Sequence, residues 1–214
     1  MRKYLRMLKP NCFEDLIAML ALYRPGPLNS GMVDEFIKRK HGEIEVTYPL
    51  PELENCLKDT YGVIVYQEQV MQIFRELAGF SFGQADNVRR AMSKKKHAVM
   101  EAEREHFVHG CTEPGHECPG CVANGISEKV ANEIYDEMSS FASYAFNKSH
   151  AACYAYVAFQ TAYLKCHYPS EFMAALLTSV LDNTDKVIEY SGECARLGIK
   201  VLPPDVNVSG GGFT

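Results

Sequence analysis

Ser81-Phe-Gly-Gln-Ala-Asp-Asn-Val-Arg-Arg-Ala-Met-Ser-Lys-Lys-Lys96 carries a helix start, an apolar stripe and a cluster of positive charge in one short run. Ser81 and Gln84 have the capping-box spacing, in which each side chain satisfies a backbone N–H that the first helical turn leaves free. This pattern predicts a helix from Ser81 through about Glu105. Ala85, Val88 and Met92 recur at i, i+3 and i+7 and mark its buried face. Arg89, Ser93 and Lys96 form one row and Arg90, Lys94 and His97 the next, so both arginines and two of the lysines share a broad basic face, with Lys95 beside them. A guanidinium offers phosphate a bidentate fork and lysine offers it a mobile point charge. The face suits a triphosphate or a DNA backbone; it equally suits a solvated helix surface whose charge Asp86 and other acids neutralise.

Helix signals recur on both sides of this run. Asn11-Cys-Phe-Glu14 reads as an N-cap with a returning Glu, and the apolar run that follows stops at the rigid turn Arg24-Pro-Gly-Pro27. Gly31–His41 reads as helical, Tyr48–Pro51 as extended, and Tyr61–Tyr66 as a short strand or turn leading into a helix from about Gln67 to Ala78. Ser127 caps a helix to about Ser140, and Ser149 a longer one that Pro169 closes. On that longer helix Ala151, Ala155, Ala158 and Ala162 make a stripe of small residues. Pro169 opens a further helix, and Thr184–Leu197 is a final one with Gly198 as its C-cap. The class is mostly α, a multi-helix arrangement with a few short extended pieces.

The chain has 214 residues, 47% of them hydrophobic, with a net charge of −5. That suffices for one substantial core or two small ones. The longest charge-free stretch of the most apolar region, Ala151–Leu164, falls short of the ~18–20 residues that span a bilayer. The basic N-terminus is not followed by an apolar signal core, so a cytoplasmic location is expected. Eight cysteines at irregular spacing argue for a reduced compartment over a disulfide framework. An acidic balance disfavours an autonomous DNA-binding domain, so local clusters must carry any phosphate binding.

Two-metal phosphoryl transfer needs paired carboxylates. Asp34-Glu35, Glu52/Glu54 and Asp182/Asp185 read instead as solvated charge, and no P-loop pattern occurs. A second polar concentration, Phe141-Ala-Ser-Tyr-Ala-Phe-Asn-Lys-Ser-His150, puts Lys148 and His150 where a helix begins, an arrangement that favours anions. The plainer alternative is that Asn147 and Ser149 only cap and that His150 is a hydrogen-bonded core histidine. In His109–Cys121, the residues Cys111, His116, Cys118 and Cys121 could supply four zinc ligands; an ordinary surface loop with reduced thiols is the alternative.

Four strings, Tyr23–Asp34 (YRPGPLNSGMVD), Tyr61–Met71 (YGVIVYQEQVM), Arg89–Lys96 (RRAMSKKK) and Tyr144–Tyr154 (YAFNKSHAACY), together resemble the fingers of the bacterial C-family replicative polymerases, the DNA polymerase III alpha subunits. The likeness continues through Gln160–Lys165, Tyr168–Ala175 and Leu202–Asn207. It implies a template-directed DNA polymerase, a DNA-directed nucleotidyltransferase whose palm, outside this chain, carries three catalytic aspartates and two Mg2+ ions. The fingers close over the incoming deoxynucleoside triphosphate (dNTP) and the templating base. Carried over, Arg89 and Arg90 contact the triphosphate, Lys148 and His150 line the same pocket, and Tyr66, Gln67 and Gln69, with Lys94, Lys95 and Lys96, support it or face DNA. The implied partners are dNTP, primer–template DNA, the palm and thumb of the same polypeptide and the replisome, with no membrane. Ser93 and Ala145 stand where the family commonly has glycine, and the Cys/His loop is not part of its general pattern.

This reading divides the chain into a first helical part of the fingers at 1–110, the Cys/His loop at 111–125 and a second helical part at 126–214. The competing function is a zinc-stabilised helical module that binds single-stranded nucleic acid or a protein partner, with Tyr144, Phe146, Tyr154, Tyr156 and Phe159 as stacking groups. These aromatics fall mostly at helical core spacing, which favours burial.

Overall fold

The computed structural model describes residues 1–94, 97–142 and 144–214, with all side chains among them except those of Ser93, His97, Ala98 and Ala142. The described chain is about two-thirds helical with no extended strands, and divides into two compact units, Met1–Ala155 and Tyr156–Thr214. The division falls inside a helix, Lys148–His167.

The first unit holds two apolar cores. One gathers α1 (Arg2–Leu8), α2 (Phe13–Leu22), α3 (Pro25–Asn29) and α4 (Met32–Lys40) around Leu22, Phe36, Val65 and Tyr66. The helix α1 lies in the segment that reads only as a basic N-terminus in sequence; its Leu8 is fully buried. Asn11 does not cap α2. Cys12 occupies the N-cap position, and the Asn11 carboxamide accepts from Lys40 Nζ at 2.7 Å.

That lysine anchors the unit. Lys40 Nζ donates to Asp15 Oδ2 at 2.7 Å, and Asp15, only 1% exposed, also accepts from the Asn11 N–H at 3.0 Å and the Tyr61 hydroxyl at 3.1 Å. A carboxylate can be enclosed in this way only because every donor is supplied. The pair ties α2 to α4 and to the turn at Tyr61.

The second core begins at α5 (Glu54–Leu57) and is built from α6 (Gln67–Ala78), α7 (Phe82–Ser93), α8 (His97–His109), α9 (Gly120–Ala123) and α10 (Glu128–Ala142). At its centre Phe74 packs against Phe80, Phe107 and Tyr135, with ring centroids 4.9–5.9 Å apart. The α7 capping box forms as expected: Ser81 N–H donates to Gln84 Oε1 at 2.7 Å, and Gln84 N–H to Ser81 Oγ at 3.3 Å. The expected single helix to Glu105 is two, with Lys94 as the C-cap of α7. Met92 of α7 and Phe107 of α8 enter the same core.

In α11 (Lys148–His167) the capping residue is Asn147, whose carboxamide oxygen accepts from His150 N–H at 2.8 Å, in place of Ser149. Ala151 and Ala155 are buried, whereas Ala158 and Ala162 are exposed. Tyr154, Tyr156 and Phe159 are at least half exposed, against the expectation of burial. The second unit pairs α12 (Pro169–Thr178) with α13 (Thr184–Arg196) around Met173, Leu177 and Cys194. No described helix is long and apolar enough to cross a membrane.

Replacing Asp15 with Asn leaves the Lys40 ammonium enclosed without its counter-charge. Urea denaturation is expected to show a loss of about 3–5 kcal/mol. Burial alone would push the Asp15 carboxyl up, but Lys40, the Asn11 N–H and the Tyr61 hydroxyl together hold it below the ordinary carboxylate range. Its folded pKa thus lies below its unfolded value of about 4, so its contribution is complete above that pH and is lost as pH falls through the folded value. Asp15→Asn should flatten that part of the stability–pH curve.

Candidate functional site

Gln69 organises the segment that enters α6. Its buried Oε1 accepts from the N–H groups of Val65 and Tyr66, both at 2.9 Å, while Nε2 donates to Cys56 O at 3.2 Å and Thr60 Oγ1 at 2.8 Å. With four partners the amide is satisfied and the extended segment is fixed. The outer edge of this segment then pairs with a distant one. Phe146 N–H donates to Val65 O and Gln67 N–H to Phe146 O, both at 3.0 Å, a parallel bridge centred on Tyr66 and Phe146.

This bridge brings the start of α11 beside the start of α6. Glu68 accepts from the Lys148 N–H at 3.0 Å and from Asn147 Nδ2 at 2.7 Å, so a carboxylate of the protein itself occupies the positive end of α11. Lys148 Nζ lies 5.3 Å from the centroid of the Tyr66 ring. His150 is exposed and packs between the rings of Phe146 and Tyr154. Arg24 holds the same segment from its other side: its guanidinium donates to Ala21 O at 2.7 Å and to Tyr144 O, and lies 4.5 Å from the Phe146 ring centroid. Gly26 permits this approach, since a Cβ there would stand 2.4 Å from the Tyr144 ring.

The arginines of α7 reach the same region through Gln67. Arg89 donates Nη1 to Gln67 Oε1 at 2.8 Å, and Gln67 Nε2 donates to Ala145 O at 3.3 Å. Asp86 lies between the two arginines. Its Oδ1 accepts from Arg89 Nε at 2.9 Å and Nη2 at 2.7 Å, and its Oδ2 from Arg90 Nε at 2.7 Å. The hydrogen bond from Arg89, followed by the charges of both arginines, holds the Asp86 carboxyl below its usual range. Between α6 and α7 opens a cleft of about 570 Å³ whose lining includes Gln67, Glu68, Arg75, Asp86, Arg89 and Asn147.

Of the residues expected at a site, Arg89, Gln67 and the Asn147–Lys148 helix start therefore meet, and Arg90 sits beside Arg89 on the shared carboxylate. Tyr66 and Gln69 are buried. Lys94 is exposed at the end of α7; Lys95 and Lys96 lie outside the described residues. Asp86 is legible as an ion-pair partner from its i+3 and i+4 arginines. Glu68 and Arg24 are not: their partners lie far away in sequence, and no local spacing announces them.

The expected zinc quartet is not assembled. Cys111 and Cys118 form an antiparallel bridge with two backbone hydrogen bonds of 2.9 Å. Cys118 and Cys121 are buried in the second core, whereas His116 is exposed at the loop. Burial pushes the Cys121 thiol up to about 12. Among the described residues no three His, Cys, Asp or Glu side chains gather as a metal site. The loop is closed instead by the close approach of its glycines. Gly110 and Gly120 both have positive φ, and a Cβ on Gly120 would lie 2.2 Å from Gly110 N.

Gln69→Leu should remove both acceptor contacts that fix the entry to α6. Hydrogen exchange at the Val65 and Tyr66 amides is expected to accelerate, with a stability loss of about 1–3 kcal/mol for each orphaned N–H.

The family model described as the bacterial DNA polymerase III alpha subunit finger domain matches residues 1–115. A protein named DNA polymerase III subunit alpha from Pasteurella multocida is 53% identical over 212 residues, which is 97% of this chain and 17% of that protein. Proteins of the same name from Pseudomonas aeruginosa and Escherichia coli are each 50% identical, over 100% and 97% of this chain. The chain thus spans less than a fifth of the length of these relatives. With a family model that matches more than half of its residues, and with identity of this level along nearly all of its length, the chain belongs to the finger-domain family of bacterial DNA polymerase III alpha subunits.

Proposed function

We propose that this chain is the nucleotide-positioning part of a DNA-directed DNA polymerase, in which Arg89, Arg90 and Lys148, with His150 at the rim, receive the triphosphate of an incoming dNTP opposite the template. The observation that carries this reading is the cleft between α6 and α7, lined by both Arg89 and Asn147, with Gln67 hydrogen-bonded to Arg89 on one side and to Ala145 on the other. Residues from distant parts of the sequence thus line one opening, with Arg75 and Arg89 as its cations and Asn147 next to Lys148. Guanidinium forks orient phosphate oxygens and spread part of their charge, so the role here is binding and orientation.

The chemical step belongs elsewhere in the longer protein. The carboxylates of the cleft are already engaged: Asp86 by two arginines, Glu68 by the α11 helix start, and Glu76 by Gln72 at 2.7 Å. That donor set does not fit a magnesium ion. Primer–template DNA, the palm and thumb and the replisome would meet the chain in the whole polymerase.

A second reading, contact with single-stranded nucleic acid, is favoured by one observation: Tyr156, Phe159 and Tyr163 of the second unit stand about half exposed. Aromatic rings presented in this way act as stacking platforms for bases.

In the full-length polymerase, Arg90→Ala should raise the nucleotide KM or slow incorporation by roughly 10–100-fold, as the loss of a charge-assisted contact of about 1.5–3 kcal/mol implies, with much less change in DNA affinity. The opposite pattern, weakened DNA binding with an unchanged nucleotide KM, would move Arg90 from the triphosphate to the DNA backbone. Primer extension by the isolated chain should not exceed background.

A further inference from the structure

We infer that Asp86 is a positioning residue that divides the work of the two arginines, holding Arg89 in place while it presents Arg90 to the triphosphate. This inference rests on the function proposed above. One carboxylate takes both guanidinium groups, Oδ1 accepting from Arg89 and Oδ2 from Arg90. The two arginines are not equivalent around it. Arg89 is held from two directions, by Asp86 and by Gln67, and Gln67 is itself fixed to the Ala145–Phe146 segment through its N–H and its Nε2. The Arg89 side chain is 20% exposed.

Arg90 is 64% exposed, and Asp86 engages it through Nε, so that contact leaves the Nη1 and Nη2 fork outside the bond. A fork whose Nε is tethered points in a limited set of directions and still turns toward an anion. Arg89 thus forms a fixed wall of the cleft and Arg90 its adjustable clamp. The Asp86 charge also stands next to the proposed phosphate position. It opposes ground-state binding slightly while it orients the clamp for the reacting geometry, and these two effects fall on different kinetic constants.

The test is a double-mutant cycle in the full-length polymerase, with the kcat and KM of single-nucleotide incorporation measured for Asp86→Asn, Arg90→Ala and the pair. Asp86→Asn should lower kcat about tenfold without raising KM, through misplacement of the clamp. Asp86→Glu should restore most of kcat, and in the Arg90→Ala background Asp86→Asn should change kcat less than about twofold. An unchanged kcat in Asp86→Asn, a raised KM, or losses that multiply in the double variant would each overturn the assignment of Asp86. If Arg90→Ala alone leaves nucleotide kinetics unchanged, the triphosphate pocket itself fails, a result separate from those three. Primer–template affinity reports folding of each variant, and Asp86→Ala replaces Asp86→Asn in the cycle if the latter loses it.

Discussion

The pairing of Tyr66 with Phe146 is the constraint on which the site depends. Two backbone hydrogen bonds join segments that lie far apart in the sequence. By themselves they are worth about 1 kcal/mol each, too little to oppose the loop-closure entropy of the intervening chain. They persist because both partners are held from behind. Gln69 fixes the first segment through four hydrogen bonds, and Arg24 and the N-cap of α11 fix the second. The pairing is thus the visible contact of two frames that the apolar cores have already placed, and it sets Asn147 and Arg89 around one cleft.

A consequence is that polar residues near the site fall into two classes by burial. Gln69, Tyr66 and Asp15 are enclosed, Gln69 and Asp15 with several hydrogen-bond partners, and concerned with shape. Arg90, Lys148 and His150 reach solvent to differing degrees, and their charge or ring is offered outward. Asp86 and Glu68 lie between these classes. Each carboxylate meets positive groups now, and each would stand beside a bound polyanion. A pocket for a highly charged ligand needs such internal counter-charges, since bare cations packed together would repel one another.

What the sequence discloses follows the range of the interaction that decides each feature. The α6 boundaries and the Ser81 capping box are local, set by residues within one turn, and both are legible. The break after α7 is not, because good helix formers run through it and no Gly or Pro marks it. Asn11 fails as a cap for a similar reason: Lys40, from a helix away in the chain, claims its oxygen. Cysteine spacing misleads at the loop, where Cys118 and Cys121 serve as small apolar groups and burial outweighs ligand chemistry. The basic run itself is plain in the sequence, whereas its junction with the α11 start requires the long-range pairing at Tyr66.

The central claim is that cations from α7 and from the start of α11 hold one triphosphate. An experimental structure of the full-length polymerase with primer–template DNA and an incoming nucleotide tests it most directly. Phosphate oxygens within about 3 Å of both an Arg90 Nη nitrogen and Lys148 Nζ are the predicted result. A triphosphate bound elsewhere, with Arg90 against the DNA backbone and Lys148 more than about 10 Å from any phosphate, would contradict it.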